Sequence, residues 1–362
     1  MDAWTTLRAG ELTGLDPAND GADGAPPTSG WRYPGQPRSS DDRLAPLHRA
    51  AAGGHAELIA PLLDAGAALE LRTAGGRTAL MLAARMGHWT CVDALLAAGA
   101  ETAATTHRGE TALIGAACEG RPAVVSRLLS AGAPLDQTSG GIGAVQHAAQ
   151  HARAAKVACR EHRGRASNGD ALRFVDGRIE RDGVLLDWPR SVALLDEPGL
   201  GHAVRHYLGA LASVVLLAEA GADLSLRTRN GASLFHSLAE VGEPALLDYV
   251  TDWRLAADNG TTPSHAVAIS RRPDGLDHAL AAGASVDVRD GAGLTPLHHL
   301  ADQGAPAEMI HMLLDAGADP RAPVTSSRVY PEGWTAVDIA RKWNDGATLA
   351  VLKGRGRIAN DS

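Results

Sequence analysis

Residues 78–110, TALMLAARMGHWTCVDALLAAGAETAATTHRGE, decide the architecture, because the chain repeats their plan. Thr78-Ala79-Leu80-Met81 has counterparts in Ala45-Pro46-Leu47-His48 and Thr111-Ala112-Leu113-Ile114, which start 33 residues apart. Each tetrad leads to a double alanine, then a leucine pair, then Gly-Ala: Leu62-Leu63 with Gly66-Ala67, Leu95-Leu96 with Gly99-Ala100, Leu128-Leu129 with Gly132-Ala133. The frame returns at Thr262-Pro263 and Thr295-Pro296-Leu297-His298, again 33 apart. Self-similarity at this period marks stacked repeats rather than one closed core.

The residue types supply the physics. Thr295 suits an N-cap and Pro296 the first helical position. Ala83 and Ala84 let neighbouring helices approach closely, while Leu95 and Leu96 fill the gap behind them. Gly99 ends the second helix in the left-handed conformation that glycine tolerates best. No repeat buries both of its faces alone, so stability must come from stacking.

Over residues 42–352 the pattern resembles the ankyrin repeat family. The resemblance implies an all-α solenoid of helix, tight turn, antiparallel helix and β-turn finger. It also implies that the fourth residue of the tetrad, as in His48, His236, His265 and His298, hydrogen-bonds between turns of the scaffold.

Walking the threonine place along the chain gives Ala45, Thr78, Thr111, Gly143, Ser233, Thr262, Thr295 and Thr335, eight candidate repeats. The fourth carries 57 residues beyond the regular period. The expected organisation is an extended or disordered arm at 1–41, repeats at 42–152, an insertion at 153–205, further repeats at 206–352 and a frayed tail at 353–362. Within the insertion, the stripe Ala148, Ala149, Ala152, Ala155 and Cys159 predicts a first helix that runs on without a breaker until Gly164. Residues 171–175, 178–180 and 184–186, punctuated by Asp176-Gly177 and Asp182-Gly183, predict one or two short hairpins. A second long helix is expected from near His202.

Composition narrows the function. The 362 residues hold 42 acidic and 34 basic side chains, a net charge of -8, and only three lysines. That balance gives no electrostatic reason to bind nucleic acid or a membrane surface. Cys91, Cys118 and Cys159 are odd in number and far apart, which fits a reducing, cytoplasmic setting rather than a disulfide framework. No nucleophile elbow, phosphate loop or His-Glu-x-x-His is present, so neither a catalytic residue nor a cofactor is expected.

One metal constellation is conceivable. Cys159 and His162 share one helical face, as do His202 and His206, and antiparallel helices bring the two faces together.

A solenoid interacts through its concave side, formed by the fingers and the fifth, eighth and ninth residues from each threonine place. Among these, Arg77, Arg85, Arg108, His147, His151, Arg229, Asn230, His299, Tyr330 and Trp334 are the candidate partner contacts. Trp334 has a core-packing alternative. Acidic residues such as Glu110, Glu119, Asp258 and Asp290 are interleaved, so the wall has no single sign of charge. The expected function is a non-enzymatic scaffold for a partner protein or peptide. The alternative is an enzyme or a ligand- or metal-binding protein centred on the fourth repeat, with His147, His151 and His299. Oligomeric state stays open.

Overall fold

The structure, a computed structural model, describes residues 44–159, 163–165, 171–175, 178–186, 195, 201–228, 230–325, 329–343 and 345–358. The expected arm at 1–41 lies outside them. The chain forms two compact parts, divided between Ala144 and Val145, and each is taken by itself.

Among its described residues the first part holds three helix pairs. They are α1 (Pro46–Gly53) with a 3₁₀ turn (Ala56–Leu58) and α2 (Ile59–Asp64), α3 (Ala79–Met86) with α4 (Trp89–Ala97), and α5 (Ala112–Cys118) with α6 (Pro122–Ser130). First helices pack on first helices, α1 on α3 on α5, and second on second, α2 on α4 on α6. The double alanines Ala50, Ala51, Ala83, Ala84, Ala116 and Ala117 are all buried. A stack of helix pairs is what the repeating frame implied.

The Leu-Leu-x-x-Gly-Ala signature has a local cause. At the end of α4 the Gly99 N–H bonds the Leu96 carbonyl (2.9 Å) and the Ala100 N–H bonds the Leu95 carbonyl (3.0 Å), with Gly99 at φ 88°. This is a Schellman closure, in which glycine supplies the left-handed residue and the next alanine packs back on the first leucine. The same pair of bonds recurs at Gly66-Ala67 and Gly132-Ala133, so the sequence frame is a helix stop written repeatedly.

The tetrad is the matching start. Thr78 accepts from the Met81 N–H (3.4 Å) and Thr111 from the Ile114 N–H (3.1 Å). Removing such a cap costs about 1 kcal/mol. Thr111→Ala is therefore expected to lower the urea midpoint of unfolding accordingly, whereas Thr111→Ser leaves it nearly unchanged; equal losses in both variants would show that the hydroxyl is not what matters.

The second part opens with α7 (Ala144–Ala158) and α8 (His202–Glu219) and continues as α9 (Leu234–Val241) with α10 (Pro244–Leu247), α11 (Pro263–Ile269) with α12 (Pro273–Ala281), α13 (Pro296–Gln303) with α14 (Ala307–Asp315), and α15 (Ala336–Lys342) with α16 (Gly346–Ile358). From α9 onward the first helices stack in order, as do the second helices.

Two expectations need correction here. α7 stops at Ala158 rather than Gly164, because residues 163–165 pair with 171–173 as the first strand of a sheet, and the backbone must leave the helix beforehand. The tail does not fray from 353, since α16 continues to Ile358. Glycine costs about 1 kcal/mol in a helix relative to alanine, and Gly354 and Gly356 do not end a helix whose preceding turn buries Leu352 and whose start is capped by Asp345 on the Thr348 N–H (3.1 Å).

The insertion forms a four-stranded antiparallel sheet: β3 (Arg163–Arg165), β4 (Ala171–Val175), β5 (Arg178–Arg181) and β6 (Val184–Leu185), numbered after the small β1 (Thr138–Ser139) and β2 (Ile142–Gly143) hairpin of the first part. β5 and β6 are joined by Asp182 (φ 48°) and Gly183 (φ 84°), the two positive-φ residues of a type I′ hairpin turn. Alternation puts Leu172, Phe174 and Ile179 in the core, with Phe174 edge-on to Tyr207 of α8 at 5.4 Å. On α7, the Lys156 ammonium donates to the Val241 (2.7 Å) and Ser270 (3.0 Å) carbonyls, which tether it to the C-terminal ends of α9 and α11.

Candidate functional site

The fingers are tight turns whose shape the backbone fixes. Thr106 N–H bonds the Glu110 carbonyl and Asp290 N–H bonds the Leu294 carbonyl, both at 2.9 Å. An arginine six places before the threonine braces each of several turns. Arg72 donates to its own finger at Gly76 and to the next at Thr105 (2.5 Å), Arg227 to Gly231 and Ala256 (3.0 Å), and Arg289 to Gly293 and Pro323 (2.6 Å). The guanidinium groups of Arg72, Arg227 and Arg289 thus hold fingers side by side.

In the first part, Arg85 lies between Glu110 (3.1 Å) and Glu119 (3.0 Å), all three only partly exposed. Its charge is offset and its geometry is locked. Arg108 stands exposed at a finger tip, its carbonyl held by the Ser139 hydroxyl (3.0 Å), and Arg77 is half-buried with its N–H on Thr73. The wall is thus polar, charge-balanced and preorganised.

In the second part the tetrad histidines do what the resemblance implied. His265 Nδ1 accepts from the Thr262 N–H (3.2 Å), and its other nitrogen donates to the Leu294 carbonyl (3.1 Å) at the next finger. His236 repeats this with Ser233 (3.1 Å) and the Thr261 carbonyl (3.0 Å). Burial pushes His265 and His298 down to about 4 and lowers His236.

His299, a candidate contact, donates to Asp290 (3.0 Å) and lies edge-on to His265 at 5.4 Å. Burial raises the Asp290 carboxyl, but bonds from His299 and from the Leu294 and Ala292 N–H groups outweigh it and leave the group below its ordinary value. Ligand atoms of His265, Asp290 and His299 come within 4.8 Å of one another. Both nitrogens of His265 are already committed to the scaffold, so a metal there would have to break the repeat's own bonds.

The metal constellation read from sequence changes with the shorter helix. Cys159 sits in the turn after α7, fully buried, and His162 lies outside the described residues. His206 instead faces His151 across the helix pair (ring centroids 5.8 Å) and stacks on His202 (6.3 Å). Among the described residues Cys159 belongs to no cluster of metal-ligating groups. Burial pushes the thiols of Cys91, Cys118 and Cys159 up to about 11, 12 and 12, which keeps them protonated and poorly nucleophilic near neutral pH.

The remaining candidates divide. His147 and His151 are half-buried on α7, Asn230 is exposed at a finger tip, and Arg229 lies outside the described residues. Tyr330 corrects the expectation of a protruding anchor. It is only 4% exposed, its hydroxyl bonds Asp302, and its ring stacks on half-buried Trp334 at 6.0 Å. The finger it sits on is longer than the others, Thr335 following Thr295 by 40 residues instead of 33, and an aromatic there finds more apolar surface by folding back than by projecting. The residue that does project is Trp343, 55% exposed beside Lys342. Sequence reading missed both, although counting to the eighth and ninth places from Thr335 reaches them.

Among the described residues no helix is long and apolar enough to cross a membrane. Family comparisons match residues 33–106 to a family described as ankyrin repeats (3 copies), and residues 108–139 and 292–322 each to one described as ankyrin repeat. No curated protein matches the chain.

Proposed function

We propose, from the premise that the chain is an ankyrin-repeat protein, that it is a non-enzymatic scaffold which holds a partner protein or peptide along its fingers and first helices. Repeats of this family are generally protein-interaction modules. The observation that carries the reading is the locked polar wall. Arg85 is clamped by two glutamates, His299 by Asp290, and successive fingers by Arg72, Arg227 and Arg289. A surface that is already ordered has little conformational entropy left to lose on association, which favours recognition over chemistry. The three buried thiols suit a reducing compartment.

The test compares capture of partners from the source organism by wild type, by a wall variant (Arg108→Glu with Asn230→Arg) and by an outer-face variant at Arg127, which rests on Trp89 (4.5 Å) and Asp93 (3.0 Å) of the second helices. A genuine partner is expected to lose at least about tenfold in affinity with the wall variant, the size of one hot-spot contact, and little with Arg127→Glu. The opposite ranking would place recognition on the other face.

A further inference from the structure

The last two repeats hold a cation between aromatic rings. The Lys342 ammonium lies 4.6 Å from the centre of the Tyr330 ring and 5.0 Å from that of Trp343. Both rings are fixed by one carboxylate: Asp302 accepts from the Tyr330 hydroxyl and from the Trp343 indole N–H (2.9 Å), and its second oxygen accepts from Gln303 (3.4 Å). Trp334 stacks behind Tyr330 and stiffens that wall. Two aromatic faces over one cation, each held in place by the same acid, are the elements of an ammonium cage.

We propose that this corner is a binding site for a methylated ammonium group, the side chain of a trimethylated lysine on a partner peptide, and that Lys342 is its built-in occupant. The chemistry separates this ligand from an ordinary lysine. Asp302 holds the rings through the Tyr330 hydroxyl and the Trp343 indole N–H, accepts from Gln303 on its second oxygen, and among the described residues forms no ion pair with the Lys342 ammonium, so it offers the cation a negative field more than a hydrogen-bond acceptor. A plain ammonium is strongly hydrated and wants acceptors. A trimethylated one has no N–H, sheds its water more readily and is well suited to ring faces and a carboxylate's field. Lys342 is exposed, so its side chain has solvent to rotate into when a ligand takes its place. Asp302, Lys342 and Trp343 occupy the eighth, eighth and ninth places of their repeats, the same places that line the wall assigned to partners. The peptide source rests on that assignment; the cage itself does not.

The experiment is a ligand-observed NMR titration of the full chain with tetramethylammonium at constant ionic strength, for wild type, Lys342→Ala and Lys342→Ala/Trp343→Leu. Emptying the cage is expected to tighten binding about tenfold, and removing the indole face to cancel the gain, as a two-ring cation contact implies. Leucine keeps an apolar side chain at an exposed position, and circular dichroism checks that the fold survives. Binding no tighter in Lys342→Ala than in wild type, or unaffected by Trp343→Leu, overturns the cage and leaves the capture experiment above untouched. Blocked trimethyllysine, unmethylated lysine and choline then identify the source. Trimethyllysine is expected to bind most tightly, and a preference for choline or for unmethylated lysine overturns the assignment to a methylated side chain.

Discussion

Arg272→Ala is expected to cost about 3–5 kcal/mol, the range for stripping one partner from a buried ion pair. The guanidinium is 2% exposed and bonds three groups: Nη1 reaches Glu243, Nε and Nη2 fork onto Asp274 (3.3 and 2.8 Å), and the buried Tyr207 hydroxyl lies on the same charge. Glu243 and Arg272 immediately precede Pro244 and Pro273, so the pair locks the starts of α10 and α12 together while Tyr207 connects them to the insertion. Truncation leaves Glu243 charged and shielded from water. Equilibrium urea unfolding measures the loss. A second substitution, Glu243→Leu in the Arg272→Ala background, is expected to recover a large share by removing the stranded charge. A loss under about 1 kcal/mol in the single variant would mean that water reaches the site and that the network is ornamental.

Acid is expected to loosen the second part through its buried histidines before it reaches the aspartates that the fold holds below their ordinary value. His265 and His298 fall from an ordinary value of 6.5 to about 4 when folded, and His236 falls in the same direction. The causes are burial first, and then the positive neighbours His299 beside His265, Arg289 beside His298 and Arg227 beside His236. The unfolded chain therefore binds protons that the folded one refuses. Stability is complete above about pH 6.5 and declines as the pH falls toward 4, by about 2–3 kcal/mol per histidine at most. Asp290 and Asp338, held below their ordinary 3.8, weaken the fold only at still lower pH, so the windows separate. Urea midpoints at pH 7 and 4.5 check this, and His265→Gln with His298→Gln is expected to flatten the difference. A difference that survives both substitutions would assign the acid sensitivity elsewhere.

Much of this was legible because the repeat states its physics several times. The leucine pair and Gly-Ala are one helix stop, and the tetrad is one helix start, so a reader of either gets the helices nearly to the residue. What failed was long-range. That α7 ends at Ala158 follows from a strand at 163–165 pairing with 171–173, and Arg-Gly-Arg carries no β signature of its own. Tyr330 read as an anchor because fingers usually project, whereas a carboxylate 28 residues earlier, Asp302, draws it inward. The acceptors of the finger arginines Arg72, Arg227 and Arg289 are carbonyls in the neighbouring turn, which no side-chain pattern announces. Lys342 and Trp343 were within reach of the same counting that found His299 and Asp302.

The arginine brace has an evolutionary corollary. Its acceptor lies 33 residues onward for Arg72, 29 for Arg227 and 34 for Arg289, so the bond ignores how long the intervening helices are and asks only for a main-chain oxygen at the adjoining tip. Because every residue type presents that oxygen, duplication or loss of a whole module preserves the joint without any compensating substitution. Lineages are free to lengthen or shorten the array by modules, and even the longer finger before Thr335 keeps the joint through the Pro323 carbonyl.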